Sequence, residues 1–281
     1  MIEFTKMSGS GNDFVLIDNF AGTLKVGDLP AFARRICERK VSVGADGLIL
    51  IEKSARADFR WQFFNSDGSR ADMCGNGGRC AARFAFLKGK SGQTMSFETG
   101  AGLIDAEVQG STVKLRLTGP GAAKLDYSIP VRGQDLGLSS IDTGVPHAVV
   151  FPADIEACDV GGIGREIRFH PRFQPAGTNV NFVRFLDRHT VSVRTYERGV
   201  EGETLACGTG AVASALISHL KGLTESPVSV RVRSGEVLRI YFEKRNGGFR
   251  NVYLEGRADV VYEGRLWPEA YEKTEVEKMR G

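Results

Sequence analysis

The chain has 281 residues, 42% of them hydrophobic and 25% charged, and a formal net charge of +3 from 37 basic and 34 acidic side chains. That length suits about two domains with a sizeable core, and the interleaved charges form no basic stripe, which excludes a nucleic-acid partner. No apolar run approaches the roughly 20 residues of a membrane span, and MIEFTKMSGSGNDF has no signal-peptide pattern, so a cytoplasmic protein with no membrane partner is expected. Five cysteines, Cys37, Cys74, Cys80, Cys158 and Cys207, are an odd number, which favours reduced thiols over a disulfide framework.

In chain order, FVLIDNF (14–20) reads as a short strand and LPAFARRICERK (29–40) has helical spacing. DFRWQFFNSDG (58–68) alternates before a turn. MCGNGGRC (73–80) then sets a cysteine in front of a glycine-rich turn. The following Ala81 to Leu87 are small or apolar nearly all round, predicting a buried helix, and Lys88-Gly89 supplies a basic last turn with a glycine stop. TMSFETGAG (94–102) reads as a strand entering a turn, and Pro120, Gly121 and the polar stretch 119–135 read as a linker. Beyond it come the short apolar run AVVF (148–151), the alternating VSVRTYERG (191–199) and a second cysteine before glycine in ACGTG (206–210). Ala211 to Leu220 predict a second buried helix ending in Lys221-Gly222, and VSVRVRSGEV (228–237) a further strand. The charged tail from Glu269 carries no pattern.

The second cysteine turn belongs to a longer repeat at a shift of 133 residues. SGSGNDFVLID (8–18) falls on IDTGVPHAVVF (141–151), pairing Gly11 with Gly144. VGADGLIL (43–50) falls on AGTNVNFV (176–183), pairing Gly44 with Gly177. CGNGGRCAARFAFLKG (74–89) falls on CGTGAVASALISHLKG (207–222) with seven of sixteen positions identical. Three ordered blocks at one spacing predict an internal duplication. The expected fold is α+β, with two pseudo-twofold-related halves, each a curved β-sheet or barrel around a central helix. Residues 1–118 plus 266–281 form the half carrying Cys74, residues 119–265 the half carrying Cys207, and the active site lies in the cleft between them.

A cysteine at a helix start meets unpaired backbone N–H groups and the positive end of the helix dipole. Such a place favours thiolate over the ordinary thiol pKa of about 8.5, and the same N–H groups suit a carboxylate. One such cysteine suggests a nucleophile. Two, one per half, suggest an acid and a base on opposite faces of one carbon, which is the arrangement of a two-base racemase or epimerase. The pair would titrate as a coupled unit, and both helix starts would stabilise charge developing on the carboxylate. The chain has no cofactor motif, so none is expected.

SGNDF (10–14), FNSDGSRADMCGNGGRC (64–80), GTNVNFV (177–183) and YERGVEGETLACGTGA (196–211) resemble, in order, the signature blocks of the diaminopimelate epimerases. The resemblance implies a cofactor-independent enzyme that interconverts LL- and meso-diaminopimelate in lysine and peptidoglycan-precursor synthesis. It implies a homodimer, with Cys74 and Cys207 as the catalytic pair. Gly75, Asn76, Gly208 and Thr209 would hold the reacting carboxylate through the backbone. Asn12, Asn65 and Asn181 would bind the distal amino-acid centre, and Arg198 the distal carboxylate. His147 and Glu197 would hold the reacting ammonium group and tune the thiols. Three positions depart from the family: Val145 where some members have asparagine, Gly47 where some have a substrate-contacting glutamine, and one extra residue at Glu201 or Gly202.

The bland alternatives carry less. Cys80 faces alanine in the repeat and reads as packing, as do Cys37 and Cys158, and Cys74 with Cys80 is the wrong set and spacing for zinc, so no metal is expected. His147 after a proline reads, alone, as a turn residue, and Asn12 and Asn65 beside glycine turns as backbone servers. GTGAVA (208–213) fits a dinucleotide fingerprint by letter, but ERGVEGETLAC before it reads as a loop rather than a strand. A proline or hydroxyproline racemase is the nearer alternative; those enzymes resemble this pattern with CGHG and without the ERG element.

Overall fold

The computed structural model describes residues 1–245 and 248–271. The chain divides into two compact units, Met1–Leu115 with Arg257–Gly281, and Arg116–Gly256. The first runs β1 (Ile2–Gly9), β2 (Asn12–Asp18), α1 (Leu29–Cys37), β3 (Gly47–Glu52), β4 (Phe59–Asn65), α2 (Gly75–Leu87), β5 (Thr94–Thr99), β6 (Gly102–Gln109) and β7 (Thr112–Arg116). The second runs β8 (Lys124–Val131), β9 (Gln134–Asp142), β10 (Pro146–Val150), α3 (Val160–Phe169), β11 (Asn179–Asp187), β12 (Thr190–Glu197), β13 (Gly202–Thr204), α4 (Gly208–Leu220), β14 (Val228–Arg231), β15 (Val237–Arg245) and β16 (Gly248–Arg257). The last strand, β17 (Asp259–Leu266), pairs antiparallel with β1.

The architecture is α+β, and the two units share one pairing scheme. In the first, β1–β2 is antiparallel, β2–β3 parallel, β3–β4 antiparallel, β4–β5 parallel, and β5–β6 and β6–β7 antiparallel. In the second, β9–β10 is antiparallel, β10–β11 parallel, β11–β12 antiparallel, β12–β14 parallel, and β14–β15 and β15–β16 antiparallel. The antiparallel pair β8–β9 then corresponds to β17–β1. That correspondence explains why the chain returns to the first unit before the expected residue 266: β17 completes the first sheet as β8 completes the second. The stretch 119–135, expected as a linker, is largely strand, holding all of β8 and the first two residues of β9. Its polar residues face solvent while Ile129 and Val131 pack with Val160 and Ile167 of α3. Residues 272–281 of the expected tail lie outside the described residues.

Each sheet wraps one helix. α4 packs against β9, β10, β11, β12, β14 and β15. A helix about 10 Å wide spans only two or three strands of a flat sheet at 4.8 Å spacing, so the sheet must curl around it. The reason lies in composition: from Gly210 to Ser218 every residue of α4 is buried, because small and aliphatic side chains cover its whole circumference. α2 is enclosed in the same way by β1, β2, β3 and β6. Outside each sheet lies an amphipathic helix. Phe32, Ala33 and Ile36 of α1 cover Val15, Ile17, Leu48 and Leu50, and α3 covers Ala148, Val150, Val180 and Phe182. Strands β2, β3, β10 and β11 are thereby buried on both faces, which fixes their register.

The central helices also end alike. Gly89 and Gly222 adopt left-handed φ of 66° and 74°, and Lys90 N–H and Leu223 N–H reach back to the carbonyls of Ala85 and Ser218, the glycine stop expected from Lys-Gly. Among the described residues no helix is long and apolar enough to cross a membrane.

Candidate active site

In the first unit Cys74 is the N-cap of α2, and its Sγ accepts the Gly77 N–H at 3.4 Å. The N–H groups of Gly75 and Asn76 belong to the first turn and have no intrahelical partner. A side chain on Gly77 would begin 3.2 Å from Ile49 Cδ1 and 3.6 Å from both Phe14 Cε1 and Cys74 Cβ, so the helix start rests closely on apolar β2 and β3. The Asn76 side chain turns inward, donating to Asn12 Oδ1 at 2.8 Å and accepting from Arg79 at 3.0 Å. Asn12 in turn donates to Asp46 Oδ2 at 2.9 Å. Asn65 is held within its own turn, its Nδ2 donating to Ser69 Oγ at 2.9 Å.

In the second unit Cys207 is the N-cap of α4, and its Sγ is hydrogen-bonded to Thr209 Oγ1 in the first turn at 3.6 Å. Thr143 Oγ1 ties the β9–β10 turn to this helix start by donating to the Thr209 carbonyl at 3.2 Å. A Cβ on Gly210 would lie 2.3 Å from Asn181 Oδ1 and 3.2 Å from Cys207 Sγ, so glycine is what lets the helix settle onto Asn181. Asn181 is fully buried: its Nδ2 donates to the Ala148 carbonyl at 3.1 Å and meets His147 Nδ1 at 3.1 Å, while its Oδ1 accepts from Thr195 at 3.0 Å. His147 is 1% exposed and lies in strand β10, not in a turn as its neighbouring proline suggested. Its Nε2 is buried without a hydrogen-bond partner. Burial, helped by the positive charge of Arg198, pushes its pKa down to about 3, so it is neutral near pH 7.

The two thiols are equivalent in backbone and unlike in surroundings. At the 133-residue shift His147, Asn181 and Glu197 correspond to Phe14, Leu48 and Phe64, all buried. At these three positions the groups beside the helix start are apolar in the first unit and polar in the second.

Glu197 ends β12, and burial pushes its carboxyl above the usual carboxylate range. Arg198 is positioned by two bonds: its N–H donates to Asn179 Oδ1 at 2.9 Å and its Nη1 to the Ala176 carbonyl at 3.0 Å. The following segment, read as a loop, contains the short strand β13 paired with β12. Of the two positions read as holding an extra residue, Glu201 takes a left-handed φ of 57°. Its carboxylate accepts from Arg168 Nε at 3.1 Å, Gly199 N–H at 3.0 Å and Tyr196 Oη at 3.3 Å. At Gly47 the ring of Phe63 fills the available space, since a Cβ there would lie 2.6 Å from its Cε2 and 2.7 Å from the Phe64 carbonyl oxygen. Val145 is half-buried, and its carbonyl accepts the Thr143 N–H at 3.1 Å.

Reading the sequence missed Asp46, Asn179, Arg79, Thr143 and Thr195, each of which holds a candidate residue or the helix start in place. A signal existed for some. The shift of 133 sets Asp46 opposite Asn179 and Ser10 opposite Thr143, polar pairs within an otherwise apolar alignment.

A family model described as diaminopimelate epimerase matches residues 4–124 and 139–261. A diaminopimelate epimerase of Aquifex aeolicus is 50% identical over 96% of this chain and 100% of its own length. One from Archaeoglobus fulgidus is 44% identical over 94% of this chain and 96% of its own. Among solved structures, a Bacillus anthracis phenazine biosynthesis protein of the PhzF family superposes with a TM-score of 0.74 at 15% identity, covering 95% of this chain and 99% of that one. A probable proline racemase from Agrobacterium radiobacter gives 0.66 at 16% identity, covering 97% and 94%. At such identities these likenesses establish the fold and nothing about activity.

Proposed function

The chain belongs to the diaminopimelate epimerase family, and from that premise we propose that it interconverts LL- and meso-diaminopimelate with Cys74 and Cys207 as the proton-transfer pair. The observation that carries the assignment of the pair is that both cysteines cap equivalent central helices of 13 residues each. A thiolate takes the proton from the α carbon, forming an S–H bond and leaving the electron pair on carbon. The other thiol returns a proton to the opposite face, and its sulfur leaves as thiolate, so the enzyme ends with its two protonation states exchanged. First-turn N–H groups beside each cysteine receive the reacting carboxylate and the charge that develops on it.

Glu197 and His147 divide the remaining work. The carboxyl group of Glu197 accepts from the reacting ammonium. The free ring atom of His147 carries a proton and can only donate, so it serves an acceptor such as a carboxylate oxygen or a thiolate rather than the ammonium group. Arg198 pairs with the distal carboxylate in a bidentate fork. A proline racemase reading has no support beyond the shared fold, and a compact ring would leave that guanidinium without its anion.

The test is turnover of LL-diaminopimelate in deuterated water, which yields meso product labelled at one α carbon. Cys74→Ser or Cys207→Ser abolishes nearly all turnover. Unlabelled product, or full activity with either serine, overturns the scheme.

A further inference from the structure

Arg79 is a fully buried guanidinium in a helix whose other buried residues, Asn76 apart, are small or apolar. A helical side chain leans toward the N-terminus of its helix, and Arg79 does so. Its Nη1 donates to the Gly75 carbonyl one turn back at 3.4 Å, and its Nη2 to Asn76 Oδ1 at 3.0 Å. The same Nη2 donates to Ser10 Oγ, and Nε reaches the Arg257 carbonyl at 3.2 Å. Ser10 is the first residue of the β1–β2 turn, with Ser10 and Gly11 at left-handed φ of 52° and 90°, and Asn12 follows directly.

We propose that Arg79 is the positioning residue that sets Asn12 for substrate. This rests on the reading of Asn12 as a substrate ligand. Arg79 controls Asn12 along two routes: through Ser10 it fixes the turn that presents Asn12, and through Asn76 it fixes the amide that holds Asn12 Oδ1 at 2.8 Å. The second unit achieves the equivalent link without a charge. There Thr143, opposite Ser10, bonds the helix start directly, and Val212 stands opposite Arg79. Serine is a methyl group smaller than threonine, and in the first unit the guanidinium bridges turn to helix. Both units therefore tether the turn before the second strand to the first turn of the central helix, and only the first needs a long cationic side chain to do so.

The test is a double-mutant cycle on kcat/KM with Arg79→Lys, Asn12→Ala and their combination, with circular dichroism and urea midpoints measured on each. Lysine retains the charge and loses the planar fork. Arg79→Lys is expected to lower kcat/KM about tenfold or more, since small misplacements of a binding group are costly, and to cost nothing further once Asn12 is alanine. Losses that multiply in the combined variant overturn the inference and leave the assignment of Asn12 standing. Full activity of Asn12→Ala overturns both. Where Arg79→Lys does not fold, Ser10→Ala, which removes one route with the guanidinium in place, is put through the same cycle and judged by the same outcomes.

Discussion

Asn181 Nδ2 touches His147 Nδ1 and the Ala148 carbonyl oxygen, each at 3.1 Å, and this double contact fixes the proton on the imidazole. A carbonyl can only accept, so the amide atom facing Ala148 is nitrogen, and that nitrogen also donates to Nδ1. The ring proton is therefore on Nε2. Nitrogen-detected NMR is expected to show the Nε2–H tautomer of His147 with no titration between about pH 5 and 9, given a pKa pushed down to about 3. An imidazole that titrates inside that window would overturn the assignment.

The same burial has a consequence for stability. The unfolded chain binds the His147 proton near its ordinary pKa of 6.5, and the folded chain only near 3. Stability from this group is thus complete above pH 6.5 and is lost as pH falls through the interval down to about 3. Between pH 7 and 4.5 the loss amounts to about 2–3 kcal/mol. Urea titrations of His147→Asn at those two pH values should show a correspondingly smaller difference than the wild type; equal differences would refute the linkage.

Three glycines at the two helix starts separate fold from function. A methyl group at Gly75 meets nothing within 4 Å, at Gly77 it meets Ile49 at 3.2 Å, and at Gly210 it meets buried Asn181 Oδ1 at 2.3 Å. Alanine gains about 1 kcal/mol of helix propensity at a helix interior site, and overpacking costs about 1–3 kcal/mol. The expected order of thermal stability is Gly75→Ala above Gly77→Ala above Gly210→Ala. Loss of activity in the unimpaired fold of Gly75→Ala would report crowding of the bound carboxylate, whereas a melting point as low as that of Gly210→Ala would refute the open geometry at Gly75.

Much of this was legible in the sequence because it depends on local rules. The helix starts at Gly75 and Gly208 follow from cysteine before glycine and from an apolar circumference, and the stops at Gly89 and Gly222 from Lys-Gly. The shift of 133 conveyed the shared pairing scheme. What escaped was set by pairing over long sequence separations. β8 gives no strand signal because Lys124, Asp126, Tyr127 and Ser128 interrupt its apolar residues and only Ile129 and Val131 are buried, and nothing local says that β17 returns to β1. The polar groups behind the site were hidden for the same reason. Asp46 and Asn179 matter only through the side chain or backbone each holds, 34 residues away from Asn12 in one case and 19 from Arg198 in the other.

Thiol chemistry divides the five cysteines. Burial pushes Cys37 and Cys80 up to about 12, leaving almost no thiolate at pH 8. Iodoacetamide at that pH is expected to spare both in the native protein and to label them after denaturation, as read by peptide mass mapping. If Cys74 and Cys207 flank one carbon as proposed, mild oxidation without substrate joins them and stops turnover, and reductant restores it. Labelling of Cys80 in the native state, or an oxidised enzyme that stays active, would contradict the division.

Gly47 is filled from across the strand pair. Gly47 lies opposite Asn65 in the β3–β4 pairing, and the Phe63 ring, packed edge-on against Phe14 with centroids 5.9 Å apart, covers the space a side chain at 47 would enter. A Cβ at 47 collides both with that ring at 2.6 Å and with the Phe64 carbonyl at 2.7 Å, and only the ring can move. Gly47→Gln alone should therefore destabilise the fold by about 1–3 kcal/mol or more. Adding Phe63→Ala removes the ring clash but opens a cavity, which by itself costs about 3–5 kcal/mol at a buried phenylalanine. The two changes are consequently coupled: the double variant should be more stable than the sum of the single losses, by about 1 kcal/mol or more. Strict additivity in urea unfolding would show that the backbone carbonyl, not Phe63, is what bars a side chain at this position.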